Sequence, residues 1–161
     1  MAGNRGGKDL TSAAPKTETL VLYARDVLLK EFLSLPPETS VLEASKLMNK
    51  SKHGFVIVGP AKDPVGIVTE WDILSKVVAG QMNTAEVTLS TIMTKDLISV
   101  DEGTGLSQVS QLMSERGIRR LLVKKNGEVI GVITSRTMLS NLKKYVDKVS
   151  TQISRLQSPW L

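Results

Sequence analysis

The chain has 161 residues, 41% of them hydrophobic but only 4% aromatic, so it can build one compact domain or two small fused ones around an aliphatic core. With no cysteine and one histidine, disulfides, thiolate zinc sites, cysteine nucleophiles and multi-histidine metal centres are excluded, and His53 is the sole imidazole base. The net charge of +5 is uneven: residues 1–88 carry ten cations and ten carboxylates, residues 89–161 eleven and six, which directs an anionic partner toward the second half. The N-terminus has no apolar leader core, and no stretch approaches about 18 uninterrupted apolar residues, so neither a signal peptide nor a membrane span is expected. A cysteine-free chain of this kind fits a reducing, cytoplasmic setting.

In chain order, Met1–Lys16 is rich in Gly, Ala, Lys and Thr without periodicity and reads as a flexible tail. Thr17–Leu29 is more apolar and reads as a lead-in strand or helix. Phe32–Leu35 is a short extended stretch, ended by Pro36-Pro37-Glu38, because paired prolines cannot continue a ladder. A helix follows: Ser40 and Glu43 have capping-box spacing, and Val41, Ala44, Leu47 and Met48 form one apolar face. Its methionine is core filler rather than a ligand. Two β-branched runs, Phe55–Val58 and Val65–Thr69, flank the turn residues Gly59-Pro60 to Asp63-Pro64, and a second helix begins after Thr69.

The same order then recurs. Leu97–Val100 is extended, Asp101-Glu102-Gly103 turns, and Leu106, Val109, Leu112 and Met113 mark a helix. Leu121–Val123 and Val129–Thr134 are strands joined by Asn126-Gly127, a strong hairpin signal, and a helix follows Thr134. One offset of 65 residues pairs Thr39 with Thr104, Gly66 with Gly131, Thr69 with Thr134 and Leu74 with Leu139, without a gap from about Ala24 to Val78. The chain is therefore a duplication. The expected fold class is α+β in layers, two tandem β-α-β-β-α units packed with pseudo-twofold symmetry. The expected divisions are a tail over 1–16, a first unit with its lead-in over 17–88, a second unit over 89–145, and an extended C-terminal helix and tail over 146–161. In the last helix Leu139, Leu142, Val146, Val149, Ile153 and Leu156 advance in alternating steps of three and four, an a/d seam that either covers its own domain or forms a dimer contact.

Gly66–Asp72 (GIVTEWD), Gly131–Thr137 (GVITSRT) and Ile92–Val123 resemble the signature of the cystathionine β-synthase (CBS) domain. The resemblance spans about 130 of the 161 residues and agrees with the duplication and the element order. It implies a stand-alone CBS pair, or Bateman module, with two clefts between the units. Such clefts commonly bind AMP, ADP or ATP, sometimes S-adenosylmethionine. These modules usually sense a ligand, regulate a partner and dimerise as flat discs.

The motif residues have physical roles in that frame. A threonine at the strand–helix junction can donate to a phosphate or sugar oxygen, and the free amides of the helix favour an anion. An aspartate three residues later can accept from both ribose hydroxyls. The first unit has Thr69 and Asp72; the second has Thr134, but Thr137 replaces the aspartate. One good nucleotide site and one weak site are therefore expected. By the resemblance, the good site joins Thr69 and Asp72 to Ile67 and to Leu97 and Ile98 beside the base, with Arg119, Arg120 and Arg136 on the phosphates. The weak cleft would use Thr134, Gly54, His53 and Phe32, a set poorer in charge.

No catalytic or metal-ligating constellation is present, and the chain lacks a phosphate-cradling G-x-x-x-x-G-K-[ST] loop. The expected function is a regulatory module, not an enzyme, that binds an adenosine nucleotide, signals to a protein target by conformational change, and forms a homodimer. Two alternatives stand beside it. One is a nucleic-acid-binding protein using Lys124, Lys125, Lys143, Lys144, Lys148, Arg155 and the arginines, although aromatic stacking residues are few. The other is an adaptor with a vestigial nucleotide site.

Overall fold

The computed structural model describes residues 21–157. The tail expected over 1–16 lies outside them, as do residues 17–20 of the lead-in. Among the described residues no helix is long and apolar enough to cross a membrane.

The first unit contains β1 (Ser34–Leu35), α2 (Val41–Ser51), β2 (Phe55–Val58), β3 (Gly66–Thr69) and α3 (Glu70–Asp72), which continues in wider π-type turns over Ile73–Val78. The second contains β4 (Ser99–Asp101), α5 (Leu106–Arg116), β5 (Arg120–Lys125), β6 (Glu128–Thr134) and α6 (Ser135–Gln157). Two short helices, α1 (Ala24–Val27) and α4 (Leu89–Ile92), precede the units. Each unit is the expected mixed α+β layer. Its three-stranded sheet pairs the first strand parallel to the second and the second antiparallel to the third.

Local chemistry accounts for the element bounds. Ser40 Oγ accepts from the Glu43 N–H at 3.2 Å and starts α2. Asn126 and Gly127 have φ of 51° and 84°, the left-handed pair that a tight hairpin between twisted strands requires. β2 is buried on both faces because two layers compete for it. Val56 and Val58 join Val41, Ala44 and Met48 of α2, while Phe55 and Ile57 point to the other sheet and meet Leu122, Val129 and Val132. The sheets thus pack face to face, with helices outside.

The lead-in helices are exchanged between units. Although α1 precedes the first unit, Ala24 and Val27 complete the core of the second, with Val109, Met113, Leu121, Val123 and Ile133. The Ala24 N–H donates to the Thr104 carbonyl at 2.8 Å, and Leu29 bridges to Val132. Conversely, Leu89 and Ile92 of α4 enter the first unit's core, and Thr94 bridges to Ile67. These crossings explain Gly66 and Gly131, which are equivalent in the repeat. A Cβ at Gly131 would lie 2.6 Å from Leu28 Cδ1 and 2.9 Å from the Leu29 carbonyl oxygen; at Gly66 it would meet the flexible Met93 side chain. Gly131→Ala is therefore expected to cost about 1–3 kcal/mol, as overpacking does, and Gly66→Ala less. Urea unfolding of both variants checks the order.

Candidate functional site

The two units leave two clefts. The first, a cavity of about 260 Å³, is walled by Ile67, Leu97, Ile98, Ile118, Leu121 and Leu122 and carries Thr69, Trp71, Asp72, Thr94, Asp96, Arg119 and Arg120 at its polar positions. It therefore brings together Thr69, Asp72, Ile67, Leu97, Ile98, Arg119 and Arg120, seven of the eight residues expected there.

Arg136 is the exception. It lies in the other cleft, because β6 ends at Thr134 opposite Arg120 at the start of β5 and Arg136 emerges on that side. The second cleft, about 550 Å³, also takes in Thr134, Gly54 and His53 but not Phe32. Phe32 packs instead against the core between the sheets, and Leu29 of the exchanged lead-in lines the cleft. The expected poverty of charge is also corrected. The second cleft gathers Lys52, Arg119, Arg120 and Arg136 against one carboxylate, Glu70, whereas the first sets Arg119 and Arg120 against Asp72 and Asp96. Arg119 and Arg120, just before and at the start of β5, stand on the divide, so both clefts share them.

Asp72 is the sole buried charged or polar residue among those described, 8% exposed. It closes the first turn of α3 as a reciprocal cap. The Thr69 N–H and the Thr69 hydroxyl donate to Asp72 Oδ2 at 2.8 and 2.7 Å, and the Asp72 N–H donates to Thr69 Oγ1 at 3.2 Å. Lys76, one turn on, donates to Asp72 Oδ1 at 2.8 Å and to the Ile92 carbonyl at 2.7 Å, tying α3 to α4. Burial alone would raise the Asp72 pKa; the hydrogen bonds from Lys76 and Thr69 outweigh it, and the carboxyl lies below its ordinary value of 3.8. Asp72 is therefore an anion at neutral pH.

This geometry revises the threonine's role. The hydroxyl proton of Thr69 is committed to Asp72, so toward a ligand Thr69 is an acceptor rather than the expected donor to a phosphate or sugar oxygen. A carboxylate offers about four acceptor directions; Asp72 uses three on Thr69 and Lys76, leaving one for the cleft.

Thr137 performs the same cap without charge. The Thr134 N–H donates to Thr137 Oγ1 at 3.0 Å and the Thr137 N–H returns to Thr134 Oγ1 at 3.1 Å. The Thr137 hydroxyl spends its proton on the Thr134 carbonyl at 2.9 Å. Thr134 Oγ1 lies 3.5 Å from Thr137 Oγ1, beyond a good hydroxyl bond, so its proton is available to the cleft.

Sequence reasoning missed Trp71, Thr94 and Asp96 in the first cleft and Lys52 and Glu70 in the second. Trp71 had a signal: it stands inside the TEWD motif and is 62% exposed. Thr94 and Asp96 had none, because the α4 crossing brings them in. Among the described residues no group of three or more His, Asp or Glu side chains could hold a metal ion.

A duplicated β-α-β-β-α chain with paired inter-unit clefts is a tandem two-domain module. The CBS domain family model matches residues 24–79 and 89–144, and the chain belongs to that family. It is 34% identical over 123 residues to an uncharacterized protein of Methanopyrus kandleri, a match covering 76% of this chain and 63% of that one. It is 38% identical over 120 residues to a homoserine O-acetyltransferase of Methanosphaera stadtmanae, covering 73% of this chain and 23% of the enzyme. The chain thus spans less than two thirds of the length of these relatives. Among solved structures, an uncharacterized conserved protein of Pyrococcus horikoshii superposes with a TM-score of 0.69 at 29% identity, covering 74% of this chain and 90% of that one. A CBS domain pair in complex with 5′-methylthioadenosine and S-adenosyl-L-methionine superposes with a TM-score of 0.67 at 25% identity, covering 77% and 98%.

Proposed function

We propose that this chain is a regulatory module, not an enzyme, that binds an adenosine-containing ligand in the first cleft. The observation that carries the reading is the buried, ionised Asp72, with one acceptor direction unused, lining the same cleft as the apolar Ile67, Leu97 and Ile98. A carboxylate in that position selects a ribose hydroxyl, and the apolar residues suit a purine ring. The related CBS pair that holds 5′-methylthioadenosine and S-adenosyl-L-methionine supports the adenosine part. AMP, ADP and ATP fit the same chemistry, since Arg119 and Arg120 stand at the cleft for phosphates. Thr69 and Asp72 come from one unit and Ile98 and the arginines from the other, so a ligand touching both favours one disposition of the units. A partner protein reading that disposition would complete the signal.

We also propose a homodimer. Leu139, Leu142, Val146 and Ile153 of α6 are 49–68% exposed, so this part of the a/d seam does not cover its own domain. The side chain of Leu156 lies outside the described residues. Trp71, Leu74 and Val78 expose a matching stripe on the equivalent helix of the first unit. A second copy of the chain would cover both.

Adenosine, 5′-methylthioadenosine, S-adenosylmethionine, AMP, ADP, ATP and GTP, titrated onto a Trp160→Phe background, test the ligand through Trp71 fluorescence and thermal stability. The adenosine series is expected to change the Trp71 emission and raise the melting temperature, while GTP does neither. A ligand at a hundred times its Kd adds about 2.7 kcal/mol of stability. A folded sample that responds to none of the series would overturn the reading and favour the adaptor.

A further inference from the structure

Asp72 is the carboxylate on which the adenosine reading rests, and its two oxygens are not equally free. Oδ2 accepts both the Thr69 N–H and the Thr69 hydroxyl, at 2.8 and 2.7 Å, which fills its two lone-pair directions. Oδ1 accepts from the Lys76 ammonium at 2.8 Å. The one direction open to a ligand is therefore on Oδ1, beside a cation. That cation is also held from its other side. Lys76 Nζ donates at 2.7 Å to the carbonyl of Ile92, the last residue of α4, and Ile92 is 3% exposed within the first unit's core. The segment that follows is pinned as well: Ile67 and Thr94 exchange both backbone hydrogen bonds, at 3.0 and 2.9 Å. The ammonium is thus clamped between a buried carboxylate and a fixed carbonyl, although the side chain that delivers it is 45% exposed. The second unit is built differently. At the position equivalent to Lys76 stands Asn141, whose amide donates to the Thr137 carbonyl of its own helix at 2.8 Å.

We propose that Lys76 sets the hydroxyl selectivity of the first cleft by restricting Asp72 to one ribose hydroxyl. The inference rests on the adenosine reading and concerns how that same site discriminates. A carboxylate with acceptor directions open on both hydroxyl-facing sides can take the 2′- and 3′-hydroxyls together. Here Lys76 occupies the second of those directions. A ribose diol therefore gains one charge-assisted bond, and a nucleoside that lacks the other hydroxyl loses little. To accept both hydroxyls, Asp72 would have to release the ammonium, which is bonded to the Ile92 carbonyl as well. That release would exchange two hydrogen bonds of a cation for one from a hydroxyl. Lys76 is not among the residues that line the cleft. It acts through Asp72 and is a positioning residue rather than a ligand contact.

Adenosine, 2′-deoxyadenosine and 3′-deoxyadenosine are titrated calorimetrically, at neutral pH, into the full-length wild type, Lys76→Met and Lys76→Gln. In the wild type one deoxynucleoside is expected to bind within about twofold of adenosine, and the other about tenfold or more weakly. Lys76→Met opens Oδ1 fully. Adenosine is then expected to bind roughly three- to tenfold tighter, with both deoxynucleosides about tenfold or more below it. Lys76→Gln keeps a neutral N–H for the Ile92 carbonyl, so it separates loss of the charge from loss of the α4 anchor; the same change in ratios is expected. A lysine needed only to hold α4 would, when replaced, weaken all three nucleosides in proportion and leave their ratios untouched. A wild type that discriminates about tenfold against both deoxynucleosides, or variants that keep the wild-type ratios, would overturn the role of Lys76 and leave the adenosine reading standing. Adenosine that binds none of the three proteins would overturn the adenosine reading itself, and this inference with it.

Discussion

Asp72→Thr is expected to weaken adenosine binding at the first cleft roughly 10- to 100-fold, while the protein remains folded with a melting temperature only a few degrees lower. The second unit already shows why the fold survives. There Thr137 receives the Thr134 N–H at 3.0 Å and returns its own N–H at 3.1 Å, so a hydroxyl closes the same first turn. What threonine cannot supply is the charge, and a hydrogen bond to a charged group is worth about 1.5–3 kcal/mol. The stability cost is the loss of the Lys76 contact and part of the cap, on the order of 1 kcal/mol, because Lys76 is 45% exposed and screened by solvent. Asp72→Ala is a poorer probe, since it also strips the cap from Thr69 and mixes folding with binding. Calorimetric titration with adenosine, beside thermal unfolding of the same sample, separates the two effects. Unchanged affinity in a folded Asp72→Thr protein would reduce the aspartate to a helix cap and sink the ribose assignment. Thr137→Ala, by contrast, should leave adenosine affinity in the first cleft where it was.

A double substitution on α6, Leu142→Glu with Val146→Glu, is expected to turn a dimer into a monomer. Both residues are half exposed, at 50% and 52%, so neither holds its own domain together and the variant should fold. Covering a Leu or Val side chain contributes about 1.5–3 kcal/mol. In a twofold dimer each substitution occurs twice, and glutamates facing one another add repulsion. A loss of at least a hundredfold in dimer affinity follows. Sedimentation of the wild type and the variant over a concentration series checks it. A wild type that stays monomeric at tens of micromolar, or a variant that dimerises as well as wild type, would show that α6 is not the contact. Trp71→Ala, on the other stripe, then tells whether both helices take part.

Much of this molecule was legible in the chain. The bounds of β2, the Asn126-Gly127 hairpin, the Ser40 cap and the restart of a helix after each motif threonine were readable, because each depends on residues within a turn or two of one another. The duplication was readable too, and it carried the class of fold. So were Ile67, Thr69 and Asp72 in one cleft with Leu97, Ile98, Arg119 and Arg120, through the likeness of the motifs to a known family.

Tertiary structure alone decided the rest. It exchanged α1 and α4 between the units, because each sheet's outer face is completed by the segment that crosses to it rather than by the one adjacent in sequence. That crossing delivered Thr94 and Asp96 to the first cleft and Leu29, in place of Phe32, to the second. It set Arg136 on the side of Thr134, and so made the supposedly charge-poor cleft the more cationic one. It also tied the Thr69 proton to Asp72, a contact three residues apart in sequence whose direction depends on how the first turn of α3 packs. Periodicity and caps are short-range and survive as patterns in the chain. The sign of a cleft and the partner of a hydroxyl are sums over atoms that meet only when two sheets close on each other.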